Sequence, residues 1–358
     1  MFDCRRRRRL ASLLAIPMIG VLLAACGGGA GGGGDATGDE IPGIGDDLIS
    51  AAQAEGGVVL YGGGHTQDGL ELLQERMQER FGIQVTFTRD DSGSVANAIS
   101  SELASGRLNA DVVSQTDQAA MQAWADDGVI RAVDVANADR IVDGLHDPAA
   151  PQLPYMQIPL GIMYNSARTD PAGIPGTWTE LAAEDRGRIV TSDPSASGTA
   201  LTFYALLDRL HGPEWMAGLA DRGPIVSDSS LALPQLVLTG EATLGVPAIE
   251  SAVLSAAATG EPLAVAYPSD GVPVIASEVA ALTDAPRPNA AELTVRYHLS
   301  EEFQQAMAET GGRSVLDGLP APPGAEDFGD RPLLTAQVAA IAEVRDDLRA
   351  RFDGLYRR

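Results

Sequence analysis

The stretch Thr191 to Phe203, TSDPSASGTALTF, crowds hydroxyls and a glycine between an apolar pair, Ile189-Val190, and an amphipathic run, Leu201 to Leu210. This pattern predicts a strand, a small-residue turn and a helix. Ser192, Ser195, Ser197, Gly198 and Thr199 then surround the start of that helix. A helix start offers unpaired N–H groups at the positive end of its dipole, and so attracts anions. The hydroxyls add donors, and Gly198 leaves room for a ligand to approach the backbone. Ordinary capping by Ser or Thr explains one such turn taken alone. Two more turns of the same kind come earlier in the chain: Gly62 to Thr66, GGGHT, with Gly64 and His65, and Arg89 to Ser94, RDDSGS, with Ser92, Gly93 and Ser94. This recurrence points beyond capping to a binding role for anions.

Other chemistries find little support. There is no Gly-x-Ser-x-Gly elbow and no cluster with metal-ligand spacing. The histidines His65, His146, His211 and His298 are scattered, with no triad spacing. No catalysis and no cofactor are expected. Net charge is −24, with 25 basic residues, all arginine, against 49 acidic ones. That balance argues against nucleic acid as a partner.

The N-terminus reads as an export signal over residues 1–25. Arg5 to Arg9 form a charged region, and Leu10 to Leu23 a mostly apolar one too short for a comfortable membrane span. Leu23-Ala24-Ala25-Cys26 resembles the lipobox of bacterial lipoproteins, which implies lipidation at Cys26 and an extracytoplasmic protein anchored to the cell membrane. Residues 26–54 are read as the lipidated end and a glycine-rich spacer. Cys4 leaves with the leader, so the mature chain has no free thiol and no disulfide.

The chain's 358 residues suffice for two lobes. Val58 to Tyr61, Ile83 to Phe87 and Ala110 to Val113 read as strands. Between them lie helical stretches, the first marked by Leu70, Leu73, Met77 and Phe81 and stopped by Gly82. Thr177 and Glu180 have capping-box spacing. Ile158 to Tyr164 and Gly271 to Ala281 are apolar runs, Glu241 to Val246 reads as a strand, and Ile249 to Ala258 reads as a helix. A final helix, about Thr335 to Leu355, carries an apolar stripe expected to pack on a lobe. Strands alternating with helices argue for parallel α/β units.

The order of these pieces resembles the solute-binding proteins of bacterial ABC importers. Specifically, it is similar to the type 2 periplasmic-binding family of ferric-ion, phosphonate, sugar-phosphate and thiamine binders. The resemblance is carried by Val58 to His65, Ser92-Gly93-Ser94, Asn109 to Val113, Met163-Tyr164-Asn165, Thr177 to Leu181, Ser192 to Ala200, and Ser229 through Gly240-Glu241. It implies two α/β lobes with mixed sheets flanked by helices, joined by two crossover hinge segments. Lobe one would comprise 55–162 plus 275–358, and lobe two 163–274. It also implies a small solute in the cleft, a membrane permease as partner, and a monomer.

Family resemblance places Gly64, His65, Ser92, Gly93, Ser94, Ser192, Ser195, Ser197, Gly198, Thr199, Ser229 and Glu250 at the ligand. A small anionic or zwitterionic solute, such as a phosphonate or sugar phosphate, suits hydroxyls and helix starts. Ferric-binding members carry a histidine where His65 stands, and an adjacent tyrosine pair. Ala248-Ile249 falls on that pair here and supplies no oxygen. The alternative is therefore a ferric-ion binder using His65 and a carboxylate such as Glu250. A second alternative is a non-transport structural lipoprotein. Arg89, Asp90, Asp91, Asp228 and Asp270 are further candidates near the ligand, each equally explained as a turn or surface residue. Tyr164 and Trp178 are read as packing.

Overall fold

The computed structural model describes residues 40–335 and 338–357. The leader, Cys26 and the glycine-rich part of the spacer lie outside the described residues. Among the described residues, no helix is long and apolar enough to cross a membrane.

The chain opens with α1 (Asp46–Glu55), β1 (Val58–Gly63), α2 (Gln67–Phe81), β2 (Val85–Arg89), α3 (Ser92–Ser105) and β3 (Val112–Gln115). Next come α4 (Gln118–Asp126), the short β4 (Ile130–Arg131) and the long β5 (Leu153–Asn165). α5 (Trp178–Ala183), β6 (Ile189–Ser192), α6 (Gly198–His211), α7 (Pro213–Asp221) and β7 (Ile225–Ser227) follow. After them come α8 (Leu233–Thr239), β8 (Leu244–Ile249), α9 (Glu250–Ala258) and β9 (Leu263–Ala266). β10 (Val272–Leu282) leads to α10 (Pro288–His298), α11 (Glu301–Met307), β11 (Leu333–Leu334) and α12 (Val338–Tyr356).

The main strand order is β2-β1-β3-β10-β5-β8-β6-β7. One end holds β1 parallel to both β2 and β3; the other holds β6 parallel to both β8 and β7. Parallel neighbours need crossover connections, and the helices supply them on the sheet faces. β5 and β10 join the two ends. β5 pairs antiparallel with β10 through its first half, then with β8 and β9 through its second. Two α/β lobes thus share a pair of long strands, which is the expected fold class.

Local sequence explains the helix limits. Leu70, Leu73, Met77 and Phe81 make the buried face of α2, and Gly82 ends it with φ 66°, a left-handed value that favours glycine. Thr177 caps α5, accepting from Glu180 N at 3.1 Å. Tyr164 and Trp178 are buried as packing residues, Trp178 donating its Nε1–H to Gly271 O at 2.8 Å. β8 begins three residues later than the sequence pattern suggests and runs on to Ile249, because Glu241 to Thr243 are used in the turn out of α8.

Two expectations change. The spacer assigned to 26–54 does not reach residue 54: Ile41 is buried, and α1 packs against α10. Glu55 accepts from Asn289 N at 3.2 Å and Ala290 N at 2.8 Å, so a carboxylate from α1 caps the start of α10. The last helix does not pack on one lobe alone. α12 lies on α4 of one lobe and on α6 and α7 of the other. Its Arg349 donates to Pro194 O at 3.2 Å and lies 3.7 Å from the Asp117 carboxylate, touching both lobes.

Candidate functional site

Five strand-to-helix turns converge on one cavity, where the sequence suggested three; the fifth, from β3 into α4, brings in Thr116. β1 turns through Gly64-His65 into α2, whose cap Thr66 accepts from Gly69 N at 3.1 Å. β2 turns through Asp90-Asp91 into α3. β6 turns into α6, capped by Ser197, which accepts from Ala200 N at 3.3 Å. β8 runs directly into α9. The cavity is lined by Gly63 to Thr66, by Asp91 and Ser92, by Ser197 and Thr199, and by Ile249, Ser251 and Ala252. Thr116, Ile158, Ser230 and Leu231 complete it. Its volume is about 20 Å³, room for roughly one water molecule. A ligand larger than that fits only with the lobes moved apart, a motion that a two-strand connection permits.

The lobes meet through small residues. Gly93 N donates to Ala196 O at 3.2 Å across the cleft. A Cβ on Gly198 would lie 2.4 Å from Asp117 N, so the missing side chain there admits the other lobe's backbone. The sequence suggested ligand approach at Gly198; the observed neighbour is Asp117. A chain of hydroxyls also crosses: Thr199 Oγ1 donates to Thr116 Oγ1 (3.2 Å), which is 2.9 Å from Ser92 Oγ, which donates to Gly63 O (3.0 Å). Within the second lobe, Ser230 Oγ lies 2.6 Å from Ser192 Oγ and 2.7 Å from Ser197 Oγ.

His65 is fixed from below. His298 Nδ1 is 2.7 Å from Thr294 O, so that nitrogen carries the proton and Nε2 accepts. His65 Nε2, 3.2 Å away, is then the donor, and His65 Nδ1 accepts from Ser114 Oγ at 2.7 Å. Tyr155 stacks on His65 with ring centroids 4.4 Å apart. Burial lowers the pKa of both imidazoles, that of His298 to about 4, and the pair stays neutral at pH 7. Both His65 nitrogens are occupied.

Glu250 does not face the ligand as expected. It is 1% exposed and accepts from Arg313 Nε and Nη2, each at 2.9 Å, and from Tyr267 Oη at 2.7 Å. A bidentate pair of this kind fully engages the carboxylate. The donors proposed for a ferric ion are therefore engaged elsewhere, and Ala248 and Ile249 are buried and apolar. Among the described residues, no group of three or more His, Cys, Asp or Glu could hold a metal ion.

Of the residues chosen from sequence, Gly64, His65, Ser92, Ser197 and Thr199 line the cavity. Gly93 and Gly198 lie at the lobe contact, and Ser192 is buried against Ser230. Ser94 and Ser195 are exposed, and Ser229 caps the next turn by accepting from Leu231 N at 3.2 Å. Of the further candidates, Asp91 lines the cavity. Asp90 and Asp228 are exposed, Asp270 accepts from Trp178 N at 3.1 Å, and Arg89 donates Nε–H to His65 O at 3.0 Å. Thr116, Ser230 and Ser251 were missed. Thr116 had a readable signal, since Ser114 to Asp117 is another polar turn between strand and helix. Ser251 had none, because it lies inside a run that reads simply as helix.

The cavity's chemistry is uneven in charge. Among the described residues, its lining includes no lysine or arginine, and its one carboxylate is Asp91. Burial raises the Asp91 pKa, opposed by a hydrogen bond from Ser229 on the other lobe. Positive potential comes instead from helix starts.

Comparison with known proteins agrees with this architecture. The chain belongs to the bacterial extracellular solute-binding proteins, whose family profile matches residues 58–313. Its fold is similar to the periplasmic binding protein AfuA from Actinobacillus pleuropneumoniae with fructose 6-phosphate bound. The TM-score is 0.72 at 21% identity, over 84% of this chain and 98% of that one. It is also similar to iron-bound HitA from Pseudomonas aeruginosa, with TM-score 0.70 at 20% identity over 83% and 98%. A periplasmic thiamin binding protein gives 0.71 at 18% identity over 84% and 96%. No curated protein matches the chain by sequence. Membership of that family makes the protein an extracellular solute-binding protein.

Proposed function

We propose that this protein binds a small anionic or zwitterionic organic solute, such as a phosphonate or sugar phosphate, between its lobes and delivers it to a membrane permease. The reading rests on one observation: five helix starts and their hydroxyls surround a single cavity whose lining, among the described residues, includes no cationic side chain. Helix starts bind anions through N–H groups and dipole, without a full opposing charge. Lobe one is assigned to 55–162 with 275–358, and lobe two to 163–274. The protein is a monomeric lipoprotein held at Cys26 and catalyses no reaction.

A thermal-shift panel on protein stripped of ligand by unfolding and refolding tests this. It includes phosphonates, sugar phosphates, phosphate, thiamine and Fe(III) with a synergistic anion. A ligand at ~1,000 times its dissociation constant adds about 4 kcal/mol and raises the midpoint by several degrees. A shift with an organophosphorus or carboxylate compound is expected. A shift with Fe(III) alone contradicts the reading.

A further inference from the structure

We infer that the anionic group of the solute sits on the start of α9, held by the Ser251 hydroxyl and the first amides of that helix, and not on the serine-rich start of α6. The inference rests on the organic-anion reading above and says where, and with what second group, the solute binds.

The five helix starts are not equivalent; α4 is capped by Asp117, which accepts from Ala120 N at 3.1 Å. α2 is capped by Thr66 and α6 by Ser197, so each already has a hydroxyl on one of its free N–H groups. At α3, Gly93 N–H is given to Ala196 O. α9 has no such provision. Its cap, Ile249, is apolar and makes no side-chain bond. Its first residue, Glu250, could neutralise the terminus, but Arg313 and Tyr267 hold its carboxylate. Ser251 follows. It lines the cavity, is 2% exposed, and its hydroxyl has no hydrogen-bond partner. Buried hydroxyls are almost always paired. An anion at this terminus gives the hydroxyl its acceptor and meets the uncapped amides of a nine-residue helix.

The first lobe supplies the complementary group. Asp91 is the carboxylate of the lining, and a carboxylate next to a bound anion is repulsive unless a donor stands between them. The solute therefore carries a hydroxyl or ammonium as well as its anion. This names the class: an organophosphorus or carboxylate compound with a hydrogen-bond donor at its other end.

Calorimetric titration of the refolded protein with fructose 6-phosphate and with 2-aminoethylphosphonate tests the assignment. For whichever probe binds, Ser251→Ala weakens binding by about ten- to a hundredfold, the range for a hydrogen bond to a charged group. The unliganded melting midpoint stays unchanged, because the lost hydroxyl had no partner in the protein. Ser251→Asp places a carboxylate at the terminus and abolishes binding. Ser197→Ala lowers the unliganded midpoint through its lost cap, yet weakens binding less than Ser251→Ala does. Asp91→Asn narrows the preference for 2-aminoethylphosphonate over methylphosphonate, which lacks the ammonium. Undiminished binding by Ser251→Ala, or a larger loss from Ser197→Ala, overturns the assignment while the organic-anion reading stands. Failure of both probes to bind the unaltered protein is a different result, and removes that reading and this inference together.

Discussion

Glu278 offers a sharp test of how burial governs this fold. It lies in β10 opposite Gln115 of β3 and is 4% exposed. Its Oε1 accepts from Gln118 Nε2 at 3.2 Å, and its Oε2 has no partner. Burial pushes its pKa up to about 8 from an ordinary 4.5; the Gln118 bond opposes this and Asp117 adds to it. At about 1.4 kcal/mol per pH unit, the full difference is about 5 kcal/mol. Its sign follows from proton counts. Between the two values the folded protein holds a proton that the unfolded chain has lost, so stability falls as pH rises through that window and levels off above it. Glu278→Gln keeps the shape and cannot ionise. Its stability advantage over the unaltered protein should widen by about 3 kcal/mol from about pH 5 to about pH 7. Urea unfolding followed by tryptophan fluorescence at those two pH values measures this. A gap that does not change with pH would mean that Glu278 ionises alike in the folded and unfolded chain.

Three other outcomes follow from burial and packing elsewhere in the fold. His298, held near 4 by burial, is neutral when folded, so the unfolded chain gains a proton first and stability is lost as pH falls from about 6.5 toward 4. The loss is about 3 kcal/mol, and His298→Gln should flatten that limb of the pH–stability curve; an equally steep limb contradicts it. Gly198→Ala drives a methyl group into the backbone of Asp117 and should hold the lobes apart, seen as a larger radius of gyration by X-ray scattering and weaker solute binding. An unchanged radius would show that the lobes do not need this contact. Arg313→Ala leaves Glu250 buried without its cation and should cost about 3–5 kcal/mol in urea unfolding. A loss below about 1 kcal/mol would mean that the carboxylate is better solvated than its burial implies.

The alternation of strands and helices was legible because α2 and the other crossover helices bury regular apolar faces, and because Thr66, Gly82 and Thr177 mark their ends. The three serine- and glycine-rich turns were legible for the same local reason. What sequence could not show was partnership across space. Glu250 looked available until Arg313, 63 residues away, was found on it. His65 looked like a ligand until Ser114 and His298 took both its nitrogens. Gly198 looked like a place for ligand, and serves a contact between lobes. Ser251 sits in an unremarkable helical run. Its place at the cavity depends on β8 ending at Ile249, three residues beyond the local pattern.

An organic anion, and not a ferric ion, is the cargo proposed for this cleft. Titrating one refolded preparation in parallel with fructose 6-phosphate, 2-aminoethylphosphonate and ferric citrate tests this most directly. Saturable heat is expected with one of the two organophosphorus compounds, and none with ferric citrate beyond that of citrate alone. Saturable binding of iron, with neither organophosphorus compound bound, would contradict it.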